Sequence, residues 1–445
     1  MRVRKIQLTN FRCFASLEVE LDSRLTVFVG QNAAGKSALV EAINIGLGPI
    51  MERLRRLYAS RLEEHDLRRD PNGVPSPIAE IAVECANPEL KWGLQKLRDK
   101  SPSTFGEIHQ LRPSLGRNRQ GLNSFLDDLL DRHRRGQPFD LPIFAFYEAD
   151  RAAKDAAGPK PGQDPYYERF GAYVKAHRAG ISFTEAVAWF GRTQHESLAN
   201  PGSGAARALD VVKTAVSRLL PGVETIEFQP VSDRLGARFR SPTGAMVELP
   251  VSRLSHGYQG MLALVMDFAR RLATANPQNS SPLASEAICL IDEVDLHLHP
   301  EWQQHVVQNL LEVFSNTQFI LTTHSPQVLT TIAPCHIRRI DYEKESQRHI
   351  LREPTSSLGA ESWRLMHDIM RVDPRPQQDT GSLFTSGQEP VATLLQRYLE
   401  MVRHGQGRNS EALALRAQLD HLTNREEPEL ERADAEMRRQ ELFGK

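Results

Sequence analysis

The sequence has only four cysteines, and their spacing fits neither a metal site nor a disulfide framework. Cys13, Cys85, Cys289 and Cys335 are scattered without a C-x-x-C pair, so we expect the reduced thiols of a cytoplasmic protein. Long apolar runs are also absent, since no stretch reaches eighteen uninterrupted apolar residues. We therefore expect no membrane-spanning helix. The charged N-terminus is not followed by the apolar segment of a secretory signal.

An excess of charge of one sign is absent as well. The 445 residues include 55 Lys and Arg against 56 Asp and Glu, so no global positive field indicates a nucleic acid partner. Basic residues do cluster locally, in the segment 51–69, which we expect to be helical, and at Arg132–Arg135. We interpret both clusters as solvated helix faces, with contact to phosphate groups as the alternative.

Apolar patterning predicts an α/β protein whose sheet is assembled from both ends of the chain. Strands are predicted near 2–8, 16–21, 25–29, 78–85, 141–147, 224–229, 235–240, 245–250, 287–291, 318–322, 336–342 and 348–352. Further helices are predicted near 181–198, 204–219, 261–274, 300–315, 388–404 and 409–441. The polar segment 87–140 is expected to be helical, and 276–284 to be a disordered linker. No internal repeat is found.

One stretch matches the P-loop pattern G-x-x-x-x-G-K-[ST] at every fixed position. It consists of Gly30, Gln31, Asn32, Ala33, Ala34, Gly35, Lys36 and Ser37. A predicted buried strand precedes it and a predicted helix follows, which is the setting that this loop requires. The loop N–H groups would surround the phosphates of ATP, with Lys36 on the β- and γ-phosphates and Ser37 on Mg²⁺. We therefore expect ATP and Mg²⁺ as cofactors.

Two predicted strands end in residue types that phosphoryl chemistry needs. Asp292 and Glu293 follow the apolar run near 287–291. We assign Asp292 to Mg²⁺ and Glu293 to the general base that polarises the attacking water. His324 follows the next apolar strand, and its imidazole can donate to the γ-phosphate. The histidines of the segment 297–305 lack the acidic or cysteine partners of a metal site.

A turn of small residues, Leu254–Gln259, precedes the strongly apolar helix predicted for 261–274. The Ser255 hydroxyl and the amides of this turn can form a second anion site. The motifs then resemble, in chain order, the Walker A, signature, Walker B, D-loop and switch histidine of ABC-type ATPases. They lie at Gly30–Ser37, Leu254–Gln259, Ile291–Glu293, Asp295–Pro300 and Thr323–Pro326. The start Leu8–Phe14 resembles the L-x-N-F-R-x-F start of the RecF- and SMC-like subgroup, which includes the overcoming-lysogenization-defect ATPases.

This resemblance implies a head-to-tail dimer, or a higher oligomer, in which Ser255 and Gly257 of one subunit close on the ATP of the other. It also implies that Arg12 binds the nucleotide. The chain has His299-Pro300 where many transporters have a D-loop aspartate. No Q-loop glutamine is identified, and the strand end Tyr147–Arg151 is the best substitute.

The expected fold is therefore an α/β P-loop NTPase of the ABC/SMC-head type, with a mixed sheet, a helical insertion and a helical C-terminal tail. Four parts are predicted. They are an N-terminal ATPase lobe with the P-loop (1–86), a helical insertion or lid (87–222), a C-terminal ATPase lobe with the signature, Walker B and switch histidine (223–345), and a helical tail for oligomer or partner docking (346–445).

A TOPRIM nuclease would need a further α/β domain, and the sequence after residue 342 is too short and too helical for one. The segments Gln318–Pro326, Asp373–Pro376 and Glu426–Leu430 together resemble the ATPase subunit of Septu-type anti-phage systems, also found in some retrons. This resemblance implies an oligomeric ATP-hydrolysing sensor that restrains a small HNH-type nuclease. The alternative is a RecF-like repair ATPase that clamps DNA through its basic helices. A transporter ATPase would need a membrane partner that nothing in the sequence indicates.

Overall fold

A computed structural model describes most of the chain. The described residues are 1–55, 59–101, 103–104, 107, 119–149, 169–176, 183–230, 232, 234–240, 244–343, 348–371, 391–423 and 427–443. Contacts divide the chain into two compact units, Met1–Arg371 and Val372–Lys445. Among the described residues, no helix combines the length and the apolar character that crossing a membrane requires.

The first unit contains all the described strands. They are β1 (Arg2–Phe11), β2 (Phe14–Glu20), β3 (Leu25–Val29), β4 (Ile78–Ala86), β5 (Leu90–Leu97), β6 (Ile143–Tyr147), β7 (Val223–Gln229), β8 (Arg234–Arg240), β9 (Met246–Pro250), β10 (Ala287–Ile291), β11 (Thr317–Thr322), β12 (Ile337–Glu343) and β13 (Arg348–Arg352). Its described helices are α1 (Lys36–Arg55), α2 (Gln120–Arg134), α3 (Phe183–Ala199), α4 (Gly204–Leu219), α5 (His256–Ala275), α6 (Pro300–Gln303), α7 (Val306–Val313), α8 (Pro326–Leu329) and α9 (Ser362–Asp368).

A six-stranded sheet forms the centre of this unit, with the order β13-β12-β3-β11-β10-β6. The five strands from β12 to β6 are parallel, and β13 pairs antiparallel with β12 at one edge. Parallel sheets are covered on both faces, and every residue of β3, β6, β10 and β11 is buried. The expected α/β fold with a mixed sheet is confirmed.

A second sheet, β2-β1-β4-β5, is antiparallel, and a buried side chain of the first sheet bonds to its backbone. The Gln318 amide of β11 donates to the carbonyls of Val3 (2.7 Å) and Asp22 (2.8 Å) and accepts from the Val3 N–H (2.9 Å). Gln318 therefore satisfies these backbone groups where the two sheets meet. A third sheet, β7-β8-β9, is also antiparallel.

Two predicted helical segments are wrong in part. The segment 87–140 contains β5, which pairs along its length with β4, and only α2 is a described helix there. In the segment 51–69, α1 is described as far as Arg55, and the described residues 59–69 contain the short 3-10 helix Glu64–Asp66 and no longer helix. The chain there returns to the end of β1, where the Arg68 N–H donates to the Asn10 carbonyl. This tertiary pairing overrides the helix propensity of the arginine-rich segment.

Two further expectations need correction. The segment 276–284 is ordered, because the Asn276 side-chain oxygen accepts from the Leu141 N–H (3.0 Å) and a 3-10 helix spans Pro282–Ala284. The helix predicted for 300–315 is interrupted after Gln303 and resumes at Val306. The predicted break at Asp373–Pro376 lies outside the described residues. The division into four parts remains a prediction.

The second unit contains α10 (Val391–Arg403), α11 (Ser410–Leu422) and α12 (Pro428–Phe443). Apolar faces of the three helices form a core of their own, made by Leu394, Leu395, Tyr398, Val402, Ala412, Leu415, Leu419, Leu430 and Ala433. The Arg416 guanidinium of α11 donates to Asp420 and Asp434 and so joins α11 to α12. The helical character expected of this part is therefore observed in its described residues.

A buried charge cluster lies between α5 and β6. The Asp267 carboxylate accepts from Arg270 (2.6 Å), from Arg271 (2.6 Å) and from the Tyr147 hydroxyl (3.0 Å). Burial raises the pKa of Asp267, but the two guanidinium groups outweigh it and hold that pKa at about 2. A carboxyl whose pKa is lowered on folding stabilises the protein above its unfolded pKa and loses this effect as the pH falls toward its folded pKa.

We expect Asp267→Asn to lower the free energy of unfolding at pH 7 by about 3 to 5 kcal/mol, because two buried cations lose their shared anion. The difference from the wild type should shrink as the pH falls from about 4 toward 2, where the wild-type carboxyl becomes protonated. Urea unfolding at a series of pH values measures both effects. Asp210→Asn, at an exposed position of α4, is the control, and an equal loss in both variants would contradict the assignment.

Candidate nucleotide-binding site

The predicted motifs meet at one edge of the six-stranded sheet. Gly30 follows β3, Asp292 follows β10 and His324 follows β11, and these strands are adjacent and parallel. Carboxyl ends of parallel strands share an edge, where α/β proteins bind ligands. The charges of Asp292 and Glu293 act to raise the pKa of Lys36. The charges of Lys36, Asp292 and Glu293 all act on the pKa of His324. The structure therefore brings these four side chains together.

The loop Gly30–Ser37 is shaped by close contacts that require glycine. Gly35 has a φ of +94°, and a Cβ there would lie 2.5 Å from the Phe14 ring and 2.7 Å from the Cys13 sulfur. A Cβ on Gly30 would lie 2.8 Å from the Ile340 carbonyl oxygen. The loop is thus held between the β1–β2 turn and β12. The side chains of Gln31, Asn32, Ala33 and Ser37 are exposed, and Ala34 is half-buried.

Lys36 begins α1 and is buried against the loop that precedes it. Its ammonium donates to the carbonyls of Gly30 and Gln31, both at 2.9 Å. Burial lowers the pKa of Lys36, while Asp292 and Glu293 act to raise it. A cation held in this position faces the place where the loop N–H groups would receive phosphate oxygens.

A threonine that the motifs do not include orders the Asp292 carboxylate and the backbone of Glu293. The buried Thr322 hydroxyl donates to Asp292 and accepts from the Glu293 N–H (2.7 Å). Glu293 has a φ of +49°, a conformation rare for residues other than glycine. Such a backbone persists only where its surroundings hold it, and these positions cluster at functional sites. The two polar residues that end the apolar strand, Thr322 and Thr323, were the available sequence signal.

The switch histidine and the D-loop are connected by a second network. The Ser325 hydroxyl donates to the Gln303 side chain (2.7 Å), and Gln303 donates to the Leu298 carbonyl (3.0 Å). The Thr323 hydroxyl donates to Asp295. Burial lowers the pKa of the half-buried His324, and Lys36 lowers it further against the opposing carboxylates. The imidazole is therefore neutral at neutral pH and has one N–H to donate.

The signature turn lies against the D-loop of its own chain. Ser255 is exposed, and its side chain caps α5 by accepting from the Tyr258 N–H (3.4 Å). Gly257 is buried, and a Cβ there would lie 2.1 Å from the His297 carbonyl oxygen. The ring centroids of the neighbouring Tyr258 and of Trp302 are 3.9 Å apart. The exposed Ser255 hydroxyl is thus presented outward at the start of a long helix.

Two other predicted positions have structural partners. The Arg12 guanidinium forms ion pairs with Glu41 of α1 and Asp66 (2.7 Å), which fixes the β1–β2 turn beside the P-loop. The contact of Arg12 with a nucleotide remains a prediction.

The proposed substitute for the Q-loop begins at Tyr147, whose side chain is buried and bound to Asp267. Its carbonyl accepts from the Asp292 N–H (2.8 Å), so Glu148 follows beside Walker B. Asp150 and Arg151 lie outside the described residues.

The donor set fits a nucleoside triphosphate with Mg²⁺. The two glycines let the loop pack closely against the β1–β2 turn and β12, and Lys36 supplies positive charge. Ser37 and Asp292 provide a hydroxyl and a carboxylate, which are the hard oxygen ligands that Mg²⁺ prefers. Among the described residues, no group of three or more His, Cys, Asp or Glu side chains forms a protein-only metal site. A cation at this edge would therefore share its coordination with phosphate.

Comparison with known proteins gives a family and relatives. The model of the family described as "AAA domain, putative AbiEii toxin, Type IV TA system" matches residues 25–330. A protein named "Retron Ec83 probable ATPase" from Escherichia coli is 27% identical over 85% of this chain and 78% of its own. A protein named "Septu protein PtuA" from Bacillus thuringiensis is 30% identical over 20% of this chain and 23% of its own. The SMC head domain from Thermotoga maritima superposes with a TM-score of 0.44 at 16% identity, over 80% of this chain and all of that one.

We expect Thr322→Val to lower the rate of ATP hydrolysis about 10- to 100-fold, because the hydroxyl that orients Asp292 and the Glu293 backbone is lost. The affinity for ATP should change much less, since the P-loop contacts are kept. Phosphate release and ATP titration measure the two quantities. Thr331→Val, which removes a hydroxyl bonded only to a local carbonyl (2.9 Å), is the matched control. Unchanged hydrolysis in Thr322→Val would contradict this role.

Proposed function

Because the chain belongs to the AAA-domain family whose model matches residues 25–330, we propose that it binds and hydrolyses ATP as a subunit of an anti-phage defence complex. The observation that carries the ATPase proposal is the meeting of Lys36, Asp292, Glu293 and His324 at one sheet edge. The defence role is supported by the relatives named for retron and Septu systems. The retron relative matches most of both chains.

Each side chain has one role in hydrolysis. The loop Gly30–Gly35 and Lys36 bind and orient the triphosphate, and Ser37 and Asp292 would hold Mg²⁺, which would supply charge neutralisation at the phosphate oxygens. Glu293, at the strained end of β10, orients and deprotonates the attacking water. The neutral His324 donates its N–H to the γ-phosphate oxygen as negative charge accumulates there. Thr322 keeps the Asp292 carboxylate and the Glu293 backbone in position.

The chain acts as a head-to-tail dimer, or a higher oligomer built from it. Ser255 and Gly257 of one subunit close on the ATP that the P-loop of the other subunit binds. The exposed Ser255 at the N-terminus of the 20-residue α5 supports this arrangement, since that helix end attracts anions. Because Gly257 contacts the D-loop, the signature turn and the D-loop form one continuous surface.

The activity under control is a nuclease in a separate chain, which we propose to be of the HNH type. The ATP-bound oligomer restrains this nuclease, and infection releases it. The helices α10–α12 supply the docking part, as proposed for 346–445. They form their own apolar core, and a compact helical unit of this kind can carry a partner without altering the ATPase sheet.

A DNA clamp has less support as the function. Several arginines of the two basic clusters are paired with carboxylates, including Arg61 with Glu52 (2.7 Å) and Arg134 with Asp131 (2.9 Å). Arg53 binds Asp127 (2.6 Å), and Arg132 binds Asp128 (2.8 Å). Their charge is thereby neutralised on the protein surface, whereas binding to the DNA backbone requires cations that can replace counterions along it.

The dimer is tested with Glu293→Gln, which should bind ATP but hydrolyse it at least about 100-fold more slowly. This variant should elute with ATP and Mg²⁺ at twice the apparent mass of the ATP-free protein. Adding Ser255→Arg, at an exposed position, should return it to the smaller mass while ATP binding persists. The same apparent mass for the single and the double variant, each with and without ATP, would contradict ATP-dependent closure.

The defence role is tested by co-expression with the adjacent open reading frames. We expect a nuclease to co-purify with the wild type, and Lys36→Ala to abolish both ATP binding and phage resistance. Lys100→Ala, at an exposed position outside the site, should leave both intact. If no nuclease co-purifies and Lys36→Ala still protects against phage, the proposed function is wrong.

A further inference from the structure

We propose that Tyr342 and His349 form a platform on which the purine base of the bound nucleotide stacks. This inference rests on the proposed binding of a nucleoside triphosphate at Gly30–Ser37, and it specifies where the rest of that ligand lies. It assigns a binding role to the β12–β13 hairpin, which none of the P-loop, signature, Walker B or switch motifs includes.

The platform consists of rings in sequence along one face. Tyr342 of β12 and His349 of β13 are directly opposite each other in the antiparallel pair, so their side chains share a face. Their ring centroids are 5.1 Å apart. Phe14, at the start of β2, lies 4.9 Å from His349 with an edge-on orientation. The three rings therefore form a continuous aromatic row from β2 across β13 to β12.

One end of this row, Phe14, lies against the phosphate loop. The Phe14 ring is the group that leaves no room for a side chain at Gly35. The strand β12 makes a second contact with the loop, since the Ile340 carbonyl lies against Gly30. Tyr342 follows Ile340 by two residues, and in a strand these positions lie on the same face. A nucleotide with phosphates at Gly35 therefore has its base in the direction of the row.

Exposure along the row increases away from the loop. Phe14 is fully buried, His349 is half-buried, and Tyr342 has 53% of its surface exposed. Among the described Phe, Tyr and Trp residues, Tyr342 and Trp363 (41%) are the exposed ones. An aromatic face left in water next to a ligand site can gain free energy by stacking on a base. His349 packs against the Tyr342 ring, and Phe14 packs against His349.

The charges around the row also suit a nucleotide. Burial lowers the pKa of His349, and the nearby Arg68 lowers it further. Arg68 also acts to lower the pKa of Cys13, beside Gly35. The imidazole is thus neutral at neutral pH, which leaves an uncharged ring for the base, and a guanidinium lies close to the path between phosphates and base. A purine offers a larger stacking surface than a pyrimidine, so we expect purine nucleotides to bind more tightly.

The test compares ligands with and without a base. Calorimetric titration with ATP, UTP and inorganic tripolyphosphate gives three dissociation constants for each variant. We expect Tyr342→Ala to weaken ATP binding about 5- to 100-fold, to reduce the preference for ATP over UTP, and to leave tripolyphosphate binding unchanged. Tyr342→Phe should restore ATP binding, because stacking requires the ring and not the hydroxyl. Trp363→Ala, which removes the other exposed aromatic ring, is the matched control.

The outcomes distinguish a failure of the proposed platform from a failure of the proposed nucleotide site. If Tyr342→Ala binds ATP as the wild type does, or loses ATP and tripolyphosphate equally, the platform is wrong while the site stands. Lys36→Ala should weaken both ligands, because it removes a phosphate contact. If Lys36→Ala weakens neither, the proposed nucleotide site itself is wrong. A loss of ATP binding in Trp363→Ala equal to that in Tyr342→Ala would also overturn the platform.

Discussion

The parallel alignment of β3, β11, β10 and β6 is the constraint on which the rest of the molecule depends. Parallel neighbours end at the same edge, so the loops that follow them must share one small volume. The phosphate loop, the two carboxylates and the switch histidine occupy these loops. Because the strands are buried on both faces, their ends cannot shift independently. The apolar core therefore sets the distances within the site.

Hydrogen bonds from residues outside the motifs convert this shared edge into an ordered site. Thr322 holds Asp292 and the backbone of Glu293, and Gln303 joins the loop after His324 to the D-loop. The positive φ of Glu293 costs on the order of 1 kcal/mol, and the Thr322 contact offsets it. Changes at the switch loop can thus reach the surface around Gly257 through a short series of bonded groups.

The motifs of the candidate site are easier to find in the sequence than several elements of the surrounding fold. The residues Gly30–Ser37 and Asp292–Glu293 are recognisable because each motif is contiguous, and its chemistry depends on local spacing. Thr322 is not, because its role exists only when β11 lies beside β10. β5 was missed for a similar reason, since its polar residues match the exposed face of an antiparallel pair with β4. The segment 51–69 has helical composition, but its contacts with the end of β1 decide its conformation.

The order of the central sheet also determines when the protein can first recognise its ligand during synthesis. β3 lies between β11 and β12, and Arg24, just before β3, bonds to the carbonyl of Thr317, 293 positions later. At roughly 5 to 20 residues per second, the ribosome needs about 15 to 60 seconds to make the strands that flank the phosphate loop. The hairpin of β1 and β2 can pair long before that. A nascent chain therefore carries the phosphate loop without its flanking strands until β11 and β12 have been made.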